Sequence, residues 1–228
     1  MRFQSHGWFA GAWVGVALGG VAAAANLSRT ADHDYDPPAP GSYTLPRIKS
    51  AADGEVLDAR GTPRRLRDLT GGRVTVMSFI YTRCADAKAC PYATGVLMQL
   101  HRMSAGDAAL ADNLRLVSMS FDPANDTPAR MAAYSALARS DKRAAEWHFL
   151  TTASQEKLMP ILDAYDQVVG RKRDPNDPTG PLTHSLRVYL IDRTGYIRNI
   201  YSSGTLDPRL VLADVKTLLL EETKLSKR

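Results

Sequence analysis

The chain has 228 residues, of which 44% are hydrophobic and 23% charged, a balance typical of one ordinary globular domain. Its 29 Lys and Arg residues outnumber 24 Asp and Glu residues, which gives a formal net charge of +5. This composition excludes a collagen-like chain, a cysteine-dense scaffold and a protein with several membrane spans, and so modest a charge does not indicate a nucleic-acid partner.

The first 25 residues have the features of an export signal. Met1 and Arg2 precede an uncharged run at residues 7–25, which ends in alanines suited to cleavage before Asn26. The run is also close to the roughly 20 residues that span a bilayer, so membrane association through an uncleaved anchor is the alternative. Both interpretations place the remaining chain outside the cytoplasm, most simply in the periplasm, where disulfides can form.

Residues 26–41 are polar and contain three closely spaced prolines. Such a segment cannot bury much apolar surface, and it favours a flexible linker. We therefore expect residues 42–228 to form the folded domain.

Within that domain, short strands at residues 54–57 and 63–66 are predicted to form an N-terminal hairpin. Residues 74–81 are nearly all apolar, β-branched or aromatic, which indicates a central strand covered on both faces. The elements predicted after it are a helix at 91–103, a strand at 114–121, a helix at 127–138, a strand at 147–150, a helix at 154–169, a loop at 170–183, strands at 185–191 and 196–201 joined by a turn, and a helix at 207–220.

This order predicts an α/β protein with a central sheet flanked by helices, an N-terminal hairpin, and a C-terminal hairpin followed by a helix. The element order resembles the thioredoxin fold. A fold alone does not assign a function, so the function has to be argued from particular residues.

The two cysteines of the chain, Cys84 and Cys90, lie between the central strand and the first long helix. A short loop there can fold back and bring the sulfurs together. Cys90 would begin the helix, where the positive end of the helix dipole favours a thiolate. A structural disulfide, a redox-active pair and a metal-binding pair are all open interpretations, and the position favours the last two.

Thiolates suit a soft ion such as Cu(I), and an added imidazole would complete a three-coordinate site that also tolerates Cu(II). His184 is the candidate, because it stands where the loop at 170–183 meets the next strand and can reach a neighbouring loop at the same sheet edge. For the other histidines a structural or exposed role is the default; they are His6, His33, His101 and His148.

These residues support a resemblance to a known family. Residues 76–100, with Tyr81-Thr82-Arg83-Cys84 and with Cys90-Pro91 at a helix start, resemble the active segment of the Sco/SenC family of thioredoxin-like copper-binding cytochrome c oxidase assembly proteins. The resemblance covers about residues 66–219 and continues through Ser120-Phe-Asp-Pro123, Asp126-Thr127-Pro128 and the segment from Thr183-His184 to Asp192.

The resemblance implies that Cys84, Cys90 and His184 bind a copper ion, Cu(I) or Cu(II). It also implies a metallochaperone or assembly factor that delivers copper to the binuclear copper centre of cytochrome c oxidase or maintains the thiols of that centre, with the copper-site subunit of the oxidase or another copper protein as partner. Asp122 would help to organise the site from behind the ligands, or serve only in a turn. One departure is the spacing, because five residues separate the cysteines where the family usually has three.

Two other functions remain open. A thiol-disulfide oxidoreductase would use the same cysteines, with Cys84 attacking, Cys90 resolving the mixed disulfide, and a thioredoxin-like protein as reductant. A noncatalytic extracytoplasmic domain would hold them as a structural disulfide. The chain would be an enzyme only in the first of these cases, whereas a copper chaperone is not one. A peroxidase is disfavoured, because the residues before Cys84 lack the Pro and Thr arrangement of a peroxidatic cysteine.

Overall fold

The structure is a computed structural model and describes residues 1, 33–138 and 143–225. The predicted export segment at 7–25 and its cleavage site lie outside the described residues. Within the described ranges, no helix combines the length and the apolar character needed to cross a membrane.

The described residues contain ten strands and six α-helices. In chain order the strands are β1 Lys49–Ser50, β2 Glu55–Asp58, β3 Pro63–Arg65, β4 Val74–Ile80, β5 Leu114–Ser120, β6 Glu146–Thr151, β7 Val169–Arg171, β8 Leu182–His184, β9 Val188–Ile191 and β10 Tyr196–Tyr201. The helices are α1 Leu66–Thr70, α2 Cys90–Ser104, α3 Ala108–Asn113, α4 Pro128–Tyr134, α5 Gln155–Ala164 and α6 Pro208–Leu225, with a 3₁₀ turn at Ser135–Ala138.

Eight strands form one mixed sheet in the order β1-β10-β9-β4-β5-β6-β2-β3. Strands β4, β5 and β6 are parallel, and β9 lies antiparallel to β4. Because parallel neighbours need crossover connections, helices separate these three strands along the chain. The predicted α/β fold with a central sheet flanked by helices is confirmed.

Strand β4 is buried along its whole length, as its sequence predicts. Successive side chains of a strand point to opposite faces, so Phe79 and Val76 enter different apolar clusters. Helix α5 covers the Phe79 side, while α2 and α6 contribute to the Val76 side. The two-sided burial fixes the position of the loop that leaves β4.

Both predicted hairpins are present. Strand β2 pairs antiparallel with β3, and β9 pairs antiparallel with β10. In the second hairpin the turn from Asp192 ends at Gly195, whose φ of 82° lies in the left-handed region that favours glycine.

The segment after α5 differs from the prediction. The helix predicted to reach residue 169 ends at Ala164, because Asp166 adopts a left-handed φ of 52° and the Gln167 N–H turns back to the Leu162 carbonyl. The β-branched Val169 then starts β7, which pairs antiparallel with β8. Residues 172–181 form a loop, as predicted for 170–183, but its two ends belong to the β7–β8 hairpin with His184 on the second strand, and the following strand starts at Val188 rather than at 185.

Residues 33–41, which fall in the predicted linker, contact the domain. His33 is buried, and its Nε2 lies 2.9 Å from the Tyr92 hydroxyl on α2. An N–H of Arg209 donates to the His33 carbonyl at 2.6 Å, and the Gly41 N–H donates to the Thr217 hydroxyl at 3.0 Å. These bonds attach residues 33–41 to α2 and α6.

Candidate metal centre

The loop after β4 folds back on itself and carries Cys84 to the start of α2. The Cys84 N–H donates to the Tyr81 carbonyl at 3.2 Å, and the Ala89 N–H donates to the Asp86 carbonyl at 3.0 Å. The first turn ends at Cys84, and the second takes up four of the five residues between the cysteines. Cys90 is the first residue of α2, with Pro91 directly after it, where the missing proline N–H costs no helical hydrogen bond.

His184 approaches this loop from the β7–β8 hairpin. It is paired with Val169 in the hairpin register. Its ring lies at 4.8 Å from the Phe121 ring and at 6.1 Å, edge to face, from the Tyr81 ring, measured between centroids. Tyr81 and Phe121 follow the parallel strands β4 and β5, so the histidine stands at the carboxyl edge of the sheet.

The three predicted ligands converge. One ligand atom each from Cys84, Cys90 and His184 can be chosen so that all three lie within 4.8 Å of one another, and within the described ranges this is the one cluster of three or more such side chains. The Cys90 Sγ is 3.4 Å from the His184 Nε2. Cys90 is buried, whereas Cys84 and His184 are partly exposed, so the cluster opens to solvent on one side.

The imidazole orientation fits a metal ligand. The His184 Nδ1 lies 3.4 Å from the Ser185 carbonyl oxygen. The tautomer protonated at Nδ1 points its N–H at that carbonyl and leaves the Nε2 lone pair facing the sulfurs. Two sulfurs and one imidazole nitrogen form the donor set that a soft ion such as Cu(I) prefers.

The two cysteines differ in protonation. A hydrogen bond from Cys90 lowers the pKa of Cys84 to about 4 despite partial burial. Donation to Cys84, together with burial, raises the pKa of the Cys90 thiol well above its ordinary value. The lowered pKa thus belongs to Cys84 rather than to Cys90, where the helix start predicts a thiolate, because the buried Cys90 is the donor in their shared hydrogen bond.

The loop is supported by two carboxylates from the chain after β5. Asp122 accepts from the Arg83 guanidinium at 2.9 Å and from the Asn125 side chain. Asp122 thus holds Arg83, the residue before Cys84, without itself being one of the three candidate ligands. The fully buried Asp126 accepts from the Thr82 N–H at 3.0 Å and from the Thr82 and Ser120 hydroxyls.

Asp126 was not among the predicted site residues. Its sequence signal is weak, because an Asp in the turn that precedes a helix is common without any role at a site. The other histidines lie elsewhere in the described structure: His101 Nδ1 contacts the Ala145 carbonyl, and His148 contacts Glu146. His6 lies outside the described residues.

Known proteins share this sequence pattern and this fold. The sequence matches the SCO1/SenC family model over residues 48–220. The chain is similar to a SCO1/SenC family lipoprotein from Bacillus anthracis, with 26% identity, coverage of 75% of this chain and 95% of that one, and a TM-score of 0.60. No curated protein sequence matches it.

Two further solved structures show the same fold. Bradyrhizobium japonicum ScoI, solved with copper bound, has 23% identity over 74% of this chain and 99% of its own, with a TM-score of 0.59. BsSco, a member of the Sco family of cytochrome c oxidase assembly proteins in which a disulfide switch has been identified, has 21% identity over 78% of this chain and 98% of its own, with a TM-score of 0.59.

Proposed function

The chain belongs to the SCO1/SenC family, and on that premise we propose that it binds one copper ion through Cys84, Cys90 and His184 and passes it to another protein. Copper is here a cargo. The acceptor we propose is the binuclear copper centre of cytochrome c oxidase, reached outside the cytoplasm.

The observation that carries the copper site is the convergence of three soft or borderline donors within 4.8 Å of one another. Cys84 supplies a thiolate without having to lose a proton at neutral pH, since its pKa is about 4. Loading with copper displaces the proton of Cys90, and metal binding in general releases protons from such ligands. The five-residue spacing is compatible with this site, because the loop brings both sulfurs together.

The partial exposure of two of the three ligands supports copper delivery rather than permanent copper storage. Cys84 and His184 reach the surface while Cys90 is buried. A receiving ligand can therefore approach the ion from the side of Cys84 and His184. ScoI from Bradyrhizobium japonicum binds copper, and BsSco belongs to a family of oxidase assembly proteins. Those two properties are the basis for proposing the oxidase as acceptor.

Copper loading of the reduced protein tests the site. We expect about one Cu(I) per chain, given one cluster of three ligands. Replacing either cysteine by Ser should weaken binding by at least roughly 100-fold, since loss even of residues that only support the ligands costs about 10- to 100-fold. His184→Ala should weaken retention, and His148→Ala, which alters a histidine on β6, is the matched control.

Two results would contradict the proposed copper site. Copper binding by His184→Ala as tight as by the parent chain would remove the histidine from the site. If the oxidised protein bound copper equally well, neither cysteine thiolate would be a copper ligand. The reason is that a disulfide between Cys84 and Cys90 leaves neither sulfur able to act as a thiolate ligand.

The unequal cysteines also favour a second candidate, a thiol-disulfide oxidoreductase. The Cys84 thiolate would attack a disulfide of the target and release one target thiolate. Cys90, after losing its proton, would then displace the other, so that the target gains two electrons and Cys84 and Cys90 become a disulfide. His184→Ala separates the two functions, because it should preserve reversible disulfide formation while it weakens copper retention.

A further inference from the structure

The tip of the β7–β8 hairpin is hydrogen-bonded to residues 81–89, the cysteine loop, by the Tyr81 hydroxyl and by the Ala85 N–H. Tyr81, three residues before Cys84, is 1% exposed. Its hydroxyl lies 3.2 Å from the Thr179 carbonyl oxygen and 3.3 Å from the Leu182 carbonyl oxygen, to which it donates. The Ala85 N–H also donates to the Thr179 carbonyl, at 3.3 Å.

Gly180 gives independent support for this close approach. Its φ is +101°, and a Cβ there would lie 2.2 Å from the Tyr81 hydroxyl oxygen and 2.9 Å from the Arg83 carbonyl oxygen. The hairpin therefore sits so near the cysteine loop that residue 180 has no room for a side chain.

The hairpin tip is itself well organised. Asp177 accepts from the Thr179 N–H at 2.8 Å and from the Lys172 ammonium at 3.0 Å, and the Gly180 N–H donates to the Asp177 carbonyl at 2.8 Å. A bond made to Thr179 or Leu182 thus restrains the hairpin as a unit, including His184 two residues after Leu182.

We propose that Tyr81 is a positioning residue, whose hydroxyl latches the β7–β8 hairpin onto the cysteine loop and so holds His184 beside Cys84 and Cys90. The effect of the latch on copper rests on the proposed function. The latch itself does not, because it joins parts of the chain that are in contact without a metal.

Hydrogen exchange tests the latch in the metal-free protein. The reporter is the Lys172 amide, which donates to the Pro181 carbonyl at 2.9 Å across the hairpin. Tyr81→Phe should lower its protection roughly 2- to 10-fold, the range expected for loss of one hydrogen bond. The control Tyr43→Phe removes a phenol bond to Asp214 elsewhere in the fold and should leave this amide unchanged.

A glycine pair tests the close approach. Gly180→Ala should lower the same protection more than Tyr81→Phe does, because its Cβ collides with Tyr81 and with the backbone of Arg83. Gly195→Ala is the control: it has a φ of +82° and no atom within 4 Å of the added Cβ, so it carries the backbone strain without the collision. Unchanged Lys172 protection in both Tyr81→Phe and Gly180→Ala would overturn the latch.

Copper affinity shows whether the latch acts through His184. Tyr81→Phe should weaken Cu(I) binding roughly 2- to 10-fold in the parent chain and have no effect in a His184→Ala background. Equal weakening in both backgrounds, or none in the parent, would overturn the positioning role. A parent chain that binds no copper would refute the proposed function instead, and the exchange measurement would still decide the latch.

Discussion

Burial and hydrogen bonding give the thiols of the two cysteines different pKa values. Donation to Cys84 and burial raise the pKa of the Cys90 thiol, which is 1% exposed, whereas the hydrogen bond from Cys90 lowers the pKa of the partly exposed Cys84. The reactive sulfur is therefore the accessible one. This difference serves both copper uptake and thiol exchange, because each begins with an approach to an exposed thiolate.

Alkylation of Cys84 by iodoacetamide should follow the lowered pKa. A thiol of ordinary pKa, about 8.5, loses rate roughly tenfold for each pH unit below that value. Since the pKa of Cys84 is about 4, we expect a nearly constant rate between pH 8 and pH 5 and a fall only as the pH drops through about 4.

Cys90→Ala is the matched variant for this measurement. It removes the hydrogen bond that does most to lower the pKa of Cys84, so the alkylation rate should fall at a higher pH than in the parent. Identical profiles for the two proteins, or a parent rate that declines already below pH 8, would show that Cys90 does not stabilise the Cys84 thiolate.

The positions of Cys84, Cys90 and His184 at a strand end, a helix start and a strand-edge loop make their convergence possible, and the resemblance to the Sco/SenC family is what implies that the three act together. The metal role of each stays a prediction. Tyr81 and Asp126 could not be predicted as supporting residues, since their hydrogen-bond partners are distant in sequence: the Tyr81 hydroxyl contacts residues 179 and 182, and Asp126 contacts Thr82.

Copper binding should change the hydrogen exchange of backbone amides in the β7–β8 hairpin. Strand β8 carries His184, and the Lys172 amide is bonded across to Pro181. A ligand that binds only the arrangement with His184 in place stabilises that arrangement by mass action.

We therefore expect Cu(I) to slow hydrogen exchange at Lys172, while amides at the amino ends of β4 and β5, at the opposite edge of the sheet from the ligands, serve as the reference. If Lys172 is equally protected with and without copper, His184 is not a ligand carried by a movable hairpin.

Long apolar or periodic elements are the ones that the sequence predicts well. Strand β4 and helix α2 are examples, and Thr127 is confirmed as the cap of α4, with its side chain accepting from the Arg130 N–H. The sequence does not predict the end of α5, because the helix ends at the left-handed conformation of one residue, Asp166, and residue type alone does not reveal that conformation. The short α1 and α3 were not predicted, since five or six residues hold too little periodicity to show.

For the whole molecule, the sheet places the site at the carboxyl ends of β4 and β5, and His33 contacts the helix that begins at the site. His33 contacts Tyr92, two residues after Cys90 in the sequence. Residue 33 thus contacts the same helix that carries Cys90.

Intact-mass measurement of the protein from its native host distinguishes an export signal from an anchor. We expect a mature chain that begins near Asn26, because the alanines before it suit signal-peptidase cleavage. Recovery of the full chain, and only from the membrane fraction, would contradict cleavage and support the anchor.

The most direct test of the copper site is an anomalous difference map at the copper absorption edge, from crystals of the reduced protein loaded with one equivalent of Cu(I). We predict a single strong peak within bonding distance of the Cys84 Sγ, the Cys90 Sγ and the His184 Nε2, since these atoms already face one another. A peak bonded to the sulfurs but not to His184, or copper bound elsewhere on the chain, would contradict the three-ligand site.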